Sequence, residues 1–373
     1  MTTLGFTGDI SFSKYMTGAW QSDDLLSPEI VQYLSETDCT IPNVECALYN
    51  GKTVGTGAFN HASDPRCIPW LLKINGRVWN IANNHILDCG PEGLAATVAA
   101  AAENGCKTIG AGMTLTAAAA PAYFDNVGVF SVNYTPKYIT DGDSPGTLGH
   151  ENWDLIRENI EKIHQTCRWC VVVAHSGGEF DHLPLPTHRE RFLKYLELGA
   201  DVVVAHHPHV MQNYELFGEN KAIFYSLGNF IFDTDYQRRQ KNTDRGMLIR
   251  LHFDGDRFRF DHMAVRIDRE NHRVVPGETP TIFRHIGPED HERLWPLAAR
   301  VFHLNQYAAR ENSKPAAREY TPAQWAEWEA HKRETDRAWL DVGPGEGLLC
   351  HERWKEAPAE LSQYLLDSIC DPE

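Results

Sequence analysis

Residues 202–210 read VVVAHHPHV. A fully apolar strand runs without a break into His206, His207 and His209, with Pro208 between the last two. Imidazoles crowded at the end of a core strand need something to hold, because buried polar groups are almost always paired. Just ahead of them, LPTHRERFLKYLELGA (185–200) has the spacing of an amphipathic helix closed by a glycine. The two segments therefore form a helix-then-strand unit.

Working outward, the same build recurs. TTLGFTGD (2–9) is a short strand ending at Asp9, and CTIPNVE (39–45) is another ending at Glu45. GRVWNIANNH (76–85) stops at Asn83, Asn84 and His85, ahead of the Ala-rich helix GPEGLAATVAAAAENG (90–105). RWCVVVAHSGGE (168–179) ends its apolar run at His175. Strands alternating with helices predict parallel βαβ units.

The later segments differ. KAIFYSLGNFIF (221–232), RGMLIRLHF (245–253), RFRFDHMAVRI (257–267) and HRVVPG (272–277) follow one another with no long helix, as antiparallel strands do, and DGD (254–256) is a turn. The predicted fold class is α/β, with two packed mixed sheets flanked by helices. From about residue 285 the sequence turns Trp- and charge-rich, as in PAQWAEWEAHKRETDRAWL (322–340). The expected domains are 1–284, the sheet sandwich, and 285–373, a helical extension or lid in which Trp325, Trp328 and Trp339 recur at roughly helical spacing.

Composition bounds the function. A chain of 373 residues with 42% hydrophobic side chains supports one large core plus an appendage. No segment reaches the ~18 apolar residues of a membrane span, and MTTLGFTGDISFSKYM lacks the build of a secretory signal, so a cytoplasmic location is expected. A net charge of −16 argues against a nucleic-acid surface but leaves room for a small or polymeric anionic substrate held by metal. Nine scattered cysteines read as reduced, buried thiols. Cys167 and Cys170 of CRWC, with no second CxxC, read as structural thiols where a helix feeds a strand.

In open α/β sheets ligands sit beyond the carboxyl ends of the strands. Five such ends deliver Asp9, Glu45, Asn84 with His85, His175, and His206 to His209. Singly, each has an ordinary explanation as a turn, cap or edge residue. Together they form a mixed oxygen and nitrogen ligand set that suits Mn, Fe or Zn. His207 and His209, one residue apart with Pro208 limiting the backbone, can face neighbouring ions.

The motifs GD (8–9), NVE (43–45), ANNHILDCGPEGLAATV (82–98), GAG (110–112), AHSGGE (174–179), GADVVVAHHPHV (199–210) and FYSLGNFIFD (224–233) together resemble the bacterial capsule-synthesis CapA family, also called the poly-γ-glutamate synthesis PgsA family. That family is similar in turn to calcineurin-like metallophosphoesterases. The resemblance covers roughly residues 3–235 and implies an α-β-β-α metallophosphoesterase-like sandwich with two divalent ions.

Carried over residue by residue, the resemblance makes Asp9 a ligand, although the usual Asp-x-His reads Asp9, Ile10, Ser11 and lacks its histidine. Glu45 takes the place of the bridging aspartate. Asn84 and His175 become ligands, His85 faces the scissile group, and the Gly-His-x-His motif falls on His206 to His209, making His207 and His209 ligands. One ion is then held by Asp9, Glu45 and His209, the other by Glu45, Asn84, His175 and His207. Asp88 is placed to fix the tautomer of His85. Ser11 and His206 support the ligands or meet substrate. Glu179 adds a carboxylate that either ligates metal or meets a substrate group. The expected activity is a soluble hydrolase for a phosphoester or a γ-glutamyl-type amide. The alternatives are a non-catalytic accessory of capsule or poly-γ-glutamate biosynthesis and an amide-forming or transferring enzyme.

Overall fold

The computed structural model describes residues 1–51, 60–311 and 352–370. Trp325, Trp328 and Trp339 lie outside them. The chain divides into two compact units, Met1–Arg238 with Asn242–Ile286, and Arg239–Lys241 with Gly287–Glu373.

The larger unit is built on two sheets. The first runs in the order Arg273–Pro276, Arg257–Asp268, Arg245–Asp254, Thr2–Ile10, Cys39–Val44, Val78–Asn80, Lys107–Ile109, with Asn229–Ile231 also paired to Thr2–Ile10. Thr2–Ile10 is the switch strand: it is parallel to Cys39–Val44 and antiparallel to Arg245–Asp254. The second sheet runs Tyr214–Phe217, Lys221–Phe224, Val202–His206, Trp169–His175, Val127–Asn133, Ala122–Phe124.

Alternation along the strands explains the layers. Leu4, Phe6, Ile41 and Val78 meet Val171, Val173, Val202 and Val204 in a core between the sheets. Val172, Ala174, Val203 and Ala205 face the other way, onto Ile156, Ile160 and Ile163 of helix Trp153–His164 and onto Phe192 and Tyr195 of helix Pro186–Glu197. The spacing of the three isoleucines makes one helix face. On the outer side of the first sheet, Trp79, Leu248 and Val265 pack with Ile30 and Leu34 of helix Pro28–Ser35 and Leu94 of helix Gly90–Glu103. The result is a helix–sheet–sheet–helix sandwich. Strands covered on both faces read as continuous apolar runs, as VVVA does.

One expectation is corrected. KAIFYSLGNFIF is not a single strand in an antiparallel run: Lys221–Phe224 pairs parallel to Val202–His206 in the second sheet, and Asn229–Ile231 pairs parallel to Thr2–Ile10 in the first. The chain changes sheet between them, turning at Gly228, which is left-handed at φ 65°. The three segments after it are antiparallel neighbours, with Gly255 of DGD left-handed at φ 56°. The strand Val127–Asn133 was not anticipated. Cys167 and Cys170 are buried, just past helix Trp153–His164 and inside the next strand.

In the smaller unit, helices Pro288–Glu311 and Ala359–Asp367 are joined through buried Asn305, which donates to Ser368 O at 2.9 Å and accepts from Cys370 N at 2.7 Å.

Candidate metal centre

The apolar layer between the sheets becomes polar at the carboxyl ends of the strands. Asn43 and Glu45 follow Ile41 in alternation, Asn80 follows Val78, Ser131 and Asn133 follow Val129, His175 follows Val173, and His206 follows Val204. Asp9 would face outward by simple counting from Phe6. A register irregularity between Phe6 and Asp9 turns it inward, the work of a β-bulge. Gly8 is what the bulge permits: a Cβ there would sit 2.3 Å from Gly228 O. Asp9 then stands in register with Asn43 and Asn229, and His175 with His206 and Asn133.

Glu45 is the centre of the cluster and is fully buried. Among the described residues its Oε1 has no hydrogen-bond partner, yet His175 Nε2 and His209 Nε2 stand 3.6 Å away and His85 Nε2 stands 4.0 Å away. Donors sharing one ion at ~2.1 Å, at a tetrahedral angle, lie about 3.4 Å apart. The His175 and His209 spacings are thus too long for hydrogen bonds and close to those of atoms around a cation. Asp9, Glu45 and His209 each offer a ligand atom within 4.8 Å of the others, and so do Glu45, His175 and His207, and Glu179, His207 and His209. Asn84 Oδ1 lies 2.8 Å from His175 Nε2, on the side of the second set. The buried, unpartnered Nδ1 of His207 also fits a ligand atom.

Partners fix which nitrogen each imidazole presents. Asn229 Oδ1 lies 3.0 Å from His209 Nδ1, which leaves Nε2 toward Glu45. Tyr134 Oη lies 2.9 Å from His207 Nε2 and leaves Nδ1 free. Asp88 Oδ2 lies 2.7 Å from His85 Nδ1, so His85 Nε2 is the atom facing the cluster. This contact is made by a turn, since the following helix starts at Gly90. His207 and His209 both have left-handed backbones, at φ 101° and 58°, a conformation that costs energy in non-glycine residues and concentrates at functional sites. Gly177, at φ 153°, lies against them: a Cβ would stand 2.6 Å from Pro208 Cγ.

His206 sits beside the cluster, with Nδ1 3.3 Å from Asp9 Oδ1. Ser11 turns away: its hydroxyl is 3.0 Å from that of Ser13, which is 2.6 Å from His61 Nδ1.

Electrostatics match a cation site. Burial drives the Glu45 carboxyl well above its usual range, and Asp9 and Glu179 push the same way. Burial opposes ionisation of Asp9 too, but the imidazoles of His206 and His209 outweigh it and hold Asp9 well below. Burial and neighbouring imidazoles, chiefly His207 for His175 and His209 for His207, keep His175 and His207 neutral, the form that ligates metal. Two carboxylates packed in a dry site call for positive charge.

Several participants escape sequence reading. A polar chain runs from Ser131 Oγ to Asn80 Oδ1 at 2.6 Å, from Asn80 Nδ2 to Asn43 Oδ1 at 2.7 Å, and from Asn43 Nδ2 to Asp9 Oδ1 at 2.7 Å. It crosses from one sheet to the other. His61 donates its backbone N–H to Asp88 Oδ2 at 2.6 Å and packs edge-on against His85, ring centroids 4.4 Å apart. Asn43 and Asn229 lie inside the quoted NVE and FYSLGNFIFD motifs, yet nothing in the sequence singles them out; Tyr134 and His61 lie outside every motif.

Fold and site together define an α/β sandwich protein with a candidate metal centre at its strand ends. The chain belongs to the family described as bacterial capsule synthesis protein PGA_cap, whose model matches residues 3–234. It is 31% identical over 266 residues to the capsule biosynthesis protein CapA of Bacillus anthracis, covering 67% of this chain and 63% of that protein, less than two thirds of its length. It is 30% identical over 263 residues to the PGA biosynthesis protein CapA of Bacillus subtilis (strain 168), covering 67% of each. Among solved structures, a putative 5′-nucleotidase from Staphylococcus aureus in complex with alpha-ketoglutarate aligns at TM-score 0.42 and 13% identity, over 80% of this chain and 58% of that one. Among the described residues no helix is long and apolar enough to cross a membrane.

Proposed function

We propose that the chain is a metal-dependent hydrolase whose strand-end cluster holds two divalent ions, Mn, Fe or Zn, and acts on a phosphoester or a γ-glutamyl-type amide. The observation that carries the reading is the buried Glu45 Oε1, without a hydrogen-bond partner among the described residues, with His175 Nε2 and His209 Nε2 each 3.6 Å away. Asp9, Glu45 and His209 would hold one ion; Glu45, Asn84, His175 and His207 would hold the other, with Glu179 within reach of His207 and His209. Divalent ions at such a place polarise a phosphoryl or carbonyl oxygen and lower the pKa of water.

The protein's own share of the chemistry falls to His85. Its Nε2 faces the cluster and Asp88 holds its Nδ1, so it can deliver a proton to a leaving oxygen or nitrogen. A spare, oriented imidazole is not needed where a metal only braces a fold. The names of the similar proteins, capsule and PGA biosynthesis, support an anionic polymer or its precursor as substrate. Metal analysis of protein purified without chelator, followed by a screen of phosphoesters and γ-glutamyl amides with Mn, Fe and Zn, tests the reading. Protein that carries no metal, or that binds metal and turns over neither class, refutes it.

A further inference from the structure

A cavity of about 370 Å³ has a lining that includes Ser13, Lys14, Trp20, Asn60, Asp64 and Arg66. That is room for a substrate group. It is joined to the reaction side through Ser13, whose hydroxyl is 2.6 Å from His61 Nδ1, while the His61 ring packs on His85.

The charges of the lining are unequal. Arg66 is bound to Asp64 by Nε at 2.8 Å and NH2 at 2.6 Å, so those two cancel. Lys14 makes no ion pair among the described residues, and it is exposed at the cavity with a left-handed backbone at φ 53°. Its ammonium is close enough to His61 to help keep that imidazole neutral, behind burial and His85.

We propose that this cavity is a subsite for an oxyanion of the substrate, carboxylate or phosphate, with Lys14 as its counter-ion and the hydroxyl of Ser13 and the amide of Asn60 beside it. A substrate anchored there would present its next bond past His61 toward His85. The assignment rests on the reading of the strand-end cluster as the reaction centre.

Titration calorimetry of the metal-loaded full chain tests it, with a short γ-linked glutamate peptide, the same peptide amidated at every carboxyl, and inorganic phosphate as probes. The peptide should bind, its amidated form more weakly. Lys14→Gln should weaken the peptide about tenfold, the worth of one charge-assisted hydrogen bond, with metal content unchanged and Lys14→Arg retaining affinity. Loss of phosphate binding alone in Lys14→Gln supports the subsite with a phosphoryl group as its occupant. If Lys14→Gln binds both peptide and phosphate as the unmodified chain does, or if neither probe binds the unmodified chain, the subsite is overturned. Binding through Lys14 without turnover would remove the hydrolase reading and keep the subsite; turnover with a KM indifferent to Lys14→Gln would do the reverse.

Discussion

Asn229 presents Oδ1 to His209 Nδ1 at 3.0 Å because its Nδ2 is already committed, to Gln237 Oε1 and Thr243 O at 2.8 Å each. The amide cannot turn over without breaking both bonds. It therefore fixes the proton on His209 Nδ1 and leaves Nε2 as a base. Groups that orient a ligand in this way are worth about 10–100-fold in metal affinity. Asn229→Ala should lower affinity by that much in metal titration of dialysed protein; affinity equal to that of the unmodified chain would mean that Asp9 Oδ2, 3.1 Å from the same Nδ1, orients His209 without Asn229.

Glu45 should matter most to metal retention. Glu45→Gln keeps the shape, so the variant should fold yet lose most of its bound metal. Because burial and Asp9 both disfavour the Glu45 charge, the metal-free variant should melt no lower than the metal-free parent. A full metal complement in Glu45→Gln would rule out a bridging role.

His85 should separate catalysis from binding. His85→Ala should keep its metal and lose about 10²–10⁴-fold in turnover. Asp88→Asn, which alters the partner of His85 Nδ1 and the acceptor of the His61 N–H but keeps the imidazole, should lose less. Metal lost from His85→Ala would make it a ligand.

Far from the site, Tyr33 Oη, Arg250 Nε and His252 Nε2 converge on Asp261 at 2.7, 2.8 and 2.6 Å. Burial raises this carboxyl, but the hydrogen bonds outweigh it and hold it at about 2, against an ordinary 3.8. A carboxyl depressed in the folded state stabilises above its ordinary value and loses that contribution as pH falls through the folded one. The melting-temperature gap between the parent and Asp261→Asn should be full above about pH 5 and close between about pH 4 and pH 2. A gap that widens on acidification would contradict the assignment.

The strand ends were legible because apolar runs such as VVVA stop abruptly at histidines and carboxylates. What surrounds them was not. Asn43 and Asn80 sit inside strands, where asparagine is disfavoured, and their place is explained only by the hydrogen-bond chain to Asp9. The inward turn of Asp9 depends on a bulge that counting by twos misses. KAIFYSLGNFIF carries the composition of one long strand, and nothing local shows that its halves join different sheets. His61 reaches Asp88 from a segment with no periodic pattern.

The bond between Asp9 N and Gly228 O, at 2.9 Å, joins the first strand to a segment more than two hundred positions later in the chain. The candidate ligands themselves are drawn from residues 9 to 209, and His209 is oriented by Asn229. Contacts so distant in sequence form late, because loop closure must be paid for first. A chain emerging from the ribosome therefore has no complete ligand set to offer until residue 209 is out, and no oriented His209 until residue 229 is. The centre is a late product of folding.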